Sequence, residues 1–165
     1  MLVARFDELA DRRPGVRLWI VGRSGSATPD LQRALASMRH ADRVDLLGQR
    51  DDVAELLTAA DVMVCSSWRE GAAGSVIEAM ASGTPVVSVP LAGTADMLVD
   101  GENAVVVPVE RLAQGLDRVL GDPDLARRLA RNARKTFDDD FTIARARSRM
   151  VEIYEMVAGS GDSSS

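Results

Sequence analysis

Short apolar runs rich in β-branched residues alternate with amphipathic helical patterns along most of the chain. The predicted strands cover residues 18–21, 44–47, 62–65, 86–89 and 104–107. The predicted helices cover residues 2–12, 30–39, 52–59, 75–82 and 94–99. Nearly unbroken apolar runs are typical of strands buried on both faces, and their alternation with helices is typical of parallel sheets. The sequence therefore predicts an α/β fold with a Rossmann-like open parallel sheet and flanking helices.

Beyond Pro108 the chain changes to helical patterns alone. Apolar residues recur at helical spacing from residue 112 to residue 129, and a last amphipathic helix is predicted over residues 143–157. Residues 158–165 are rich in Gly and Ser and lack large apolar side chains, so we expect a disordered tail. A chain of 165 residues has room for one hydrophobic core. We therefore predict one domain over residues 1–157, followed by the tail.

The composition excludes several classes of protein. No apolar run approaches the roughly 18–20 residues that span a bilayer, and acidic residues near the N-terminus are unlike an export signal. A single cysteine, Cys65, and a single histidine, His40, exclude a disulfide framework and a His-rich metal site. The net charge of −5 argues against a nucleic-acid partner, and the one lysine, Lys135, lies outside every glycine-rich stretch, which excludes a P-loop. We expect a cytoplasmic globular protein.

The richest candidate site is the connection over residues 66–74. In an open parallel sheet, ligands bind beyond the carboxyl ends of the strands, where this connection enters a predicted helix. Gly71 and Gly74 allow close approach of the backbone, and amides at a helix N-terminus favour an anion such as a diphosphate. Glu70 and Glu78 bracket the connection, and carboxylates accept hydrogen bonds from sugar and ribose hydroxyls. The pattern predicts a ligand that carries both phosphates and hydroxyls.

The same segment resembles a known family. Residues 70–87, Glu-Gly-Ala-Ala-Gly-Ser-Val-Ile-Glu-Ala-Met-Ala-Ser-Gly-Thr-Pro-Val-Val, resemble the E-x₇-E motif and the block that follows it in retaining glycosyltransferases of the GT-B fold, glycosyltransferase family 4 type. Further blocks resemble the family in the same order, at residues 20–22, 44–48, 60–67, 91–96 and 99–103. The resemblance covers about residues 2–157 and identifies the C-terminal, donor-binding half of such an enzyme.

The resemblance implies a site for a nucleotide-diphosphate sugar. Glu78 matches the residue that holds the ribose hydroxyls, and Glu70, the candidate catalytic residue, matches the one that holds hydroxyls of the transferred sugar. The implied contacts with the sugar and diphosphate are at Gly71, Ala72, Ala73, Gly74 and Ser75. Gly22 and Arg23 lie at the crevice, and Gly48 and Val53 are the implied contacts with the base. The resemblance implies no metal and no cofactor, since amides and basic side chains neutralise the leaving diphosphate.

The chain departs from the family pattern in several places. Ala72 stands where a bulky residue is usual, Asp96 where Glu is usual and Ala104 where Gly is usual. In the family, a strand and a loop with an Arg and a Lys that clamp the diphosphate precede this region, as does the acceptor-binding domain. We expect these parts to be missing here. In the strand order 3-2-1-4-5-6 the missing strand lies between residues 18–21 and 62–65, which either pair directly or leave a gap.

Simpler interpretations remain for the same residues. Glu78 follows Ser75 by three residues, the spacing of a capping box, and Glu70 and Arg23 can be ordinary surface residues. The main hypothesis is transfer of a hexosyl group, with retention, to an unknown acceptor, with an N-terminal acceptor-binding domain or chain as partner and a peripheral membrane acceptor left open. We expect the isolated chain to bind nucleotide weakly and to transfer no sugar. The alternative is a non-catalytic Rossmann-like partner or regulatory module derived from such an enzyme.

Overall fold

The computed structural model describes residues 2–67 and 74–160 of the chain. The strands are β1 (Leu18–Val21), β2 (Val44–Gly48), β3 (Met63–Cys65), β4 (Val86–Ser88) and β5 (Val105–Val106). The helices are α1 (Leu2–Arg12), α2 (Thr28–Ala36), α3 (Val53–Ala59), α4 (Gly74–Ser82), α5 (Leu112–Gly121), α6 (Pro123–Thr136) and α7 (Ile143–Ser160). The predicted alternation of strands and helices is confirmed except over residues 94–99, and about half of the other boundaries agree while the rest shift by one to three residues.

Parallel ladders join the strands into two separate sheets. One sheet has the order β1-β2 and the other the order β3-β4-β5. Leu18 lies opposite Val44 in the first sheet, and Ser88 lies between Cys65 and Val106 in the second. No ladder joins β1 to β3 among the described residues. The parallel α/β architecture is therefore confirmed, and the expected break in the sheet takes the form of a gap instead of direct pairing.

Helix α1 packs on both sheets. Its side chains Phe6 and Ala10 form one apolar cluster with Leu18, against which Ile20 of β1 and Val64 of β3 also pack. Leu9, on the same helix, belongs to the larger core formed by β4, β5, α5 and α6. The buried positions of α1 recur every three or four residues, which is the spacing of one helical face. The sequence pattern of α1 thus produces a helix that joins the two sheets through side-chain contacts.

A capping carboxylate begins α6, and a glycine ends α4. The carboxylate of Asp122 accepts hydrogen bonds from the backbone N–H groups of Asp124 and Leu125, at 3.1 and 2.9 Å, and so caps α6. Gly83 ends α4 with a φ of +69°, a conformation that L-residues with side chains rarely adopt. The helix α7 runs to Ser160 and so includes the start of the predicted tail, while residues 161–165 lie outside the described residues.

The predicted helix over residues 94–99 is wrong. The chain forms a short 3-10 turn at Ala92–Thr94, followed by further turns. The buried amide of Asn103 explains the difference, since its Oδ1 accepts a hydrogen bond from Val99 N at 2.8 Å and its Nδ2 donates one to Met97 O at 2.9 Å. These backbone groups are therefore satisfied without a regular helix.

None of the helices in the described part of the chain is both long and apolar enough to cross a lipid bilayer. The helix α7 nevertheless exposes several large apolar side chains, among them Ile153, Tyr154 and Met156. They share the helix with Arg145, Arg147 and Arg149.

Gly115 allows α5 to approach the second sheet closely. A Cβ atom at this position would lie 3.0 Å from Val107 Cγ2, 3.2 Å from Val87 Cγ1 and 3.3 Å from Val105 Cγ1. We expect Gly115→Ala to lower the free energy of unfolding by about 1 kcal/mol, because the overpacking exceeds the helix-propensity gain of alanine. Denaturant unfolding measures this change. The control Gln114→Ala lies on the exposed side of α5, and a Gly115→Ala chain as stable as that control would contradict the expectation.

Asn103 is expected to be the most important polar side chain of the turn before β5. Replacing it with Ala leaves Val99 N–H and Met97 C=O without their partner, at a cost of about 2–3 kcal/mol in unfolding free energy. The control Asn132→Ala removes only an exposed hydrogen bond to the carbonyl of Glu102 and should cost less than about 1 kcal/mol. Equal unfolding free energies for the two variants would show that the buried network does not stabilise the turn.

The gap between β1 and β3 also has a consequence for the stability of the whole chain. Strands without a neighbour leave backbone donors and acceptors without sheet partners and apolar surface uncovered. We expect the isolated chain to melt below about 65 °C, within or below the usual range of mesophilic domains. Thermal unfolding followed by circular dichroism tests this, and a cooperative transition above that temperature would contradict it.

Candidate functional site

Two predicted site residues meet at the carboxyl ends of β1 and β2. Gly22 follows β1 with a φ of +147°, and Gly48 ends β2 with a φ of +66°. The backbone N–H of Gly22 donates a hydrogen bond to the carbonyl of Gly48 at 2.8 Å. This bond and the left-handed glycine conformations bring the loops after the two strands together at one edge of the sheet. Arg23 is exposed beside them and has no ion pair with another described residue.

The central segment of the predicted site lies outside the described residues. It contains Glu70, Gly71, Ala72 and Ala73, whose predicted contacts with sugar and diphosphate stay predictions. The described chain reaches Ser67 after β3 and resumes at Gly74, the first residue of α4. The segment therefore connects the carboxyl end of a parallel strand to a helix N-terminus, which is where such folds bind anions.

Glu78 lies on the exposed side of α4. Its neighbours Val76, Ala79 and Met80 are buried, so the packing of α4 directs the Glu78 carboxylate away from the core. Within the described part of the chain, Glu78 makes no hydrogen bond and no ion pair. Ser75 is the second residue of α4 and does not occupy the position before the helix that a capping box requires. The geometry therefore favours a carboxylate available to a ligand over an internal cap.

An ion pair fixes the connection between β2 and α3. Arg50 donates from Nε to Asp52 Oδ1 at 2.7 Å and from Nη2 to Asp52 Oδ2 at 2.5 Å. The hydrogen bonds from Arg50 hold the pKa of the Asp52 carboxyl below its usual value. Asp52 precedes α3 but makes no cap hydrogen bond with its side chain, because its carboxylate is engaged by Arg50. Val53, the predicted base contact, follows directly as the half-buried first residue of α3.

An open groove of about 430 Å³ lies beyond β4 and β5. Its lining is mostly apolar and consists of Pro90, Leu91, Ala92, Thr94, Ala95, Leu98 and Val106. The buried hydroxyl of Thr94 donates to the carbonyl of Leu91 at 3.2 Å and so holds the turn that forms the groove wall. None of these residues is among those predicted to contact the ligand, although residues 91–96 form one of the blocks that resemble the glycosyltransferases.

The block at residues 99–103 has a structural role. Asp100 Oδ1 accepts a hydrogen bond from the backbone N–H of Val106 at 2.8 Å, and Asn103 ties Met97 to Val99. Gly101 turns the chain with a φ of +74°. These contacts hold β5, whose Val106 lines the groove, so residues 99–103 support the groove without lining it.

Comparison with known proteins gives a family match over most of the chain. The family model of glycosyl transferases group 1 matches residues 1–122. The lipopolysaccharide core biosynthesis glycosyltransferase LpsE of Rhizobium meliloti is 33% identical over 138 residues, which are 82% of this chain and 40% of LpsE. The 2-deoxystreptamine glucosyltransferase of Streptomyces kanamyceticus is 31% identical over 157 residues, which are 92% of this chain and 40% of that enzyme.

Solved structures share the fold. Sucrose-phosphate synthase from Thermosynechococcus elongatus is 27% identical, with a TM-score of 0.80 over 96% of this chain and 42% of that protein. HepE from Anabaena, in complex with UDP-glucose, has a TM-score of 0.85 over 94% of this chain and 44% of HepE, and at 23% identity it supports the fold alone. The chain spans about two fifths of the length of these relatives. It belongs to the glycosyl transferases group 1 family and has the fold of the C-terminal half of a GT-B glycosyltransferase.

Proposed function

We propose that the chain is the donor-binding part of a retaining glycosyltransferase that uses a nucleotide-diphosphate sugar. The observation that carries the proposal is the exposed Glu78 carboxylate, which has no partner among the described residues and lies in the first turns of α4. Among the similar proteins, one is named a glucosyltransferase and another was solved with UDP-glucose, and both facts support a donor of this class.

Glu78 is the proposed ribose contact. A carboxylate accepts hydrogen bonds but cannot donate them when ionised, so it suits the vicinal hydroxyls of a ribose and repels a phosphate placed on the same atoms. The diphosphate then lies nearer the N-terminus of α4, where free backbone N–H groups and the helix dipole favour negative charge. This separation places the two chemically different parts of a nucleotide diphosphate along one helix.

The nucleobase is proposed to lie by the connection between β2 and α3. The Arg50–Asp52 ion pair holds this connection, and Val53 presents an apolar side chain at the start of α3. Gly48 lacks a side chain at the end of β2 and allows a flat base to approach the backbone.

The transfer step follows from the charge of the leaving group. The bond between the sugar C1 and the diphosphate oxygen breaks and the electron pair stays on the diphosphate, while the acceptor hydroxyl adds to the same face of C1 and its proton passes to the departing diphosphate oxygen. Backbone amides at the start of α4 stabilise the departing charge without a metal. Glu70 is proposed to hold hydroxyls of the transferred sugar, and Gly71–Gly74 to supply amides along the sugar and diphosphate. The acceptor is proposed to bind to an N-terminal domain or chain, so this chain alone should not transfer sugar.

The alternative is a non-catalytic partner or regulatory module. The open carboxylate of Glu78 and the glycine-shaped loops at Gly22 and Gly48 favour a ligand-binding role. The family match includes these same segments. We therefore do not favour the alternative.

The test is a titration of the chain with UDP, followed by amide chemical shifts. We expect weak, millimolar binding with shifts at α4, and we expect Glu78→Gln to weaken it by about tenfold, because a charge-assisted hydrogen bond is lost. The control Glu55→Gln changes another exposed carboxylate, on α3, and should leave the affinity unchanged. The partner experiment uses UDP that lacks the ribose 2′ and 3′ hydroxyls.

The loss of affinity from Glu78→Gln and the loss from removing the ribose hydroxyls should not add. If Glu78 binds the ribose hydroxyls, the analogue should bind the wild-type chain and the Glu78→Gln chain with the same affinity. If the two losses of affinity add, Glu78 does not contact the ribose hydroxyls. The absence of any shift at α4 with millimolar UDP would contradict the donor site as a whole and favour the non-catalytic module.

A further inference from the structure

An open cavity of about 370 Å³ lies where the end of α5 meets the first half of α6. Its lining contains four arginines and two carboxylates, although the whole chain has a net charge of −5. Arg118 comes from the last turn of α5. The other three arginines lie on α6 at the spacing of one helix face, and they are Arg127, Arg128 and Arg131. Two helices thus bring an excess of positive charge to one place on an acidic protein.

The two acidic side chains of the lining are engaged by neighbouring groups. Asp122 caps α6 and accepts a hydrogen bond from the backbone N–H of Leu125 at 2.9 Å. The Asp124 carboxylate pairs with Arg127 at 2.6 Å. The N-terminus of α6 and one of the four arginines therefore offset the negative charge of the lining.

The remaining three arginines of the lining have no such partner. Within the described part of the chain, no ion pair and no side-chain hydrogen bond is made by Arg118, Arg128 or Arg131, and all three are exposed. The other basic residues of α6 each pair with a carboxylate. Arg128 and Arg131 are three residues apart, a spacing at which like charges on a helix repel each other. A bound anion would remove this repulsion.

The cavity is separate from the candidate donor site. Arg13, which lies just before β1, donates to the carbonyl groups of Leu120 and Asp117 at 3.4 and 3.0 Å. The last turn of α5 therefore lies by the amino end of β1. In contrast, Gly22 and Gly48 lie at the carboxyl ends of β1 and β2. An anion in the cavity is thus distinct from the diphosphate of the proposed donor.

The chemistry of the three unpaired arginines favours a phosphate group. A guanidinium group presents its N–H donors in a planar fork that matches two oxygens of a phosphate. A phosphate monoester has three strong acceptor oxygens and about two negative charges, whereas a carboxylate has two oxygens and a single charge. The cavity volume is also within the range of about 300–1,000 Å³ that is typical of small-molecule sites.

We propose that Arg118, Arg128 and Arg131 form a binding site for a ligand that carries a phosphate monoester or a diphosphate. The phosphate belongs either to a soluble compound or to the headgroup of a lipid. Because the bound phosphate offsets the repulsion between the arginines, the complex should also be more stable than the free chain.

The first experiment is a titration of the whole chain with inorganic pyrophosphate at low ionic strength, followed by amide chemical shifts. We expect shifts over residues 118–131. The double variant Arg128→Gln, Arg131→Gln should weaken this binding by at least about tenfold, because two charge-assisted contacts are lost. The control Arg145→Gln, Arg147→Gln removes the same charge from exposed positions of α7 and should change the affinity by less than about twofold.

The control separates a specific site from a general response to net charge. Equal losses of affinity in the two double variants would overturn the proposal. Shifts confined to α4 would also overturn it, because pyrophosphate would then bind only at the proposed donor site. Shifts over residues 118–131 without any at α4 would support the proposal and leave the donor site to its own test. Arg118→Gln, on the other helix, should also weaken binding, by about threefold or more.

The second experiment separates the two sources of phosphate. The chain and its Arg128→Gln, Arg131→Gln variant are sedimented with phosphatidylcholine vesicles that contain phosphatidic acid, whose headgroup is a phosphate monoester. If the variant loses vesicle binding, the site takes a lipid phosphate. If the variant loses pyrophosphate binding and neither chain binds vesicles, the site takes a soluble phosphate compound. If the variant binds pyrophosphate and vesicles as well as the wild-type chain does, the proposal is wrong.

Discussion

The packing of one helix on two sheets is the contact on which this architecture depends. The helix α1 contributes Phe6 and Ala10 to the cluster over β1 and Leu9 to the core over β4 and β5. Polar contacts continue the connection, because Arg13, just after α1, pairs with Asp117 of α5 at 2.5 Å, and Asp7 accepts the backbone N–H of His40 at 3.0 Å. In an unbroken sheet, backbone hydrogen bonds would join all five strands, whereas here the side chains of α1 hold the two sheets together.

The arrangement of the candidate site follows from what each element can bury. The helix α4 buries Val76, Ala79 and Met80, and this face leaves Glu78 on the solvent side. The glycines after β1 and β2 turn the chain where side chains would be strained. Acceptors, apolar surface and turn glycines therefore come from different elements, and in parallel sheets ligands bind beyond the carboxyl ends of the strands, which these elements follow.

Much of the fold was predictable because apolar periodicity determines it locally. The bounds of α1 and β1 agree with the sequence pattern, since each has a continuous apolar face or run. The helix expected over residues 94–99 does not form because Asn103, beyond its end, binds the backbone groups of Met97 and Val99. The apolar periodicity of a short segment cannot predict a hydrogen bond from a side chain several residues beyond that segment. The exposure of Glu78 likewise depends on which face of α4 is buried, and the capping box that its spacing from Ser75 suggested does not fit, since Ser75 is the second residue of the helix.

The close contact at Gly115 also bears on the position of α1. Without a side chain there, α5 lies against the methyl groups of Val87, Val105 and Val107. A larger residue at this position would push α5 away from the sheet, and with it Asp117, whose ion pair with Arg13 connects α5 to the end of α1. The placement of α1 over β1 therefore depends in part on a residue that has no side chain.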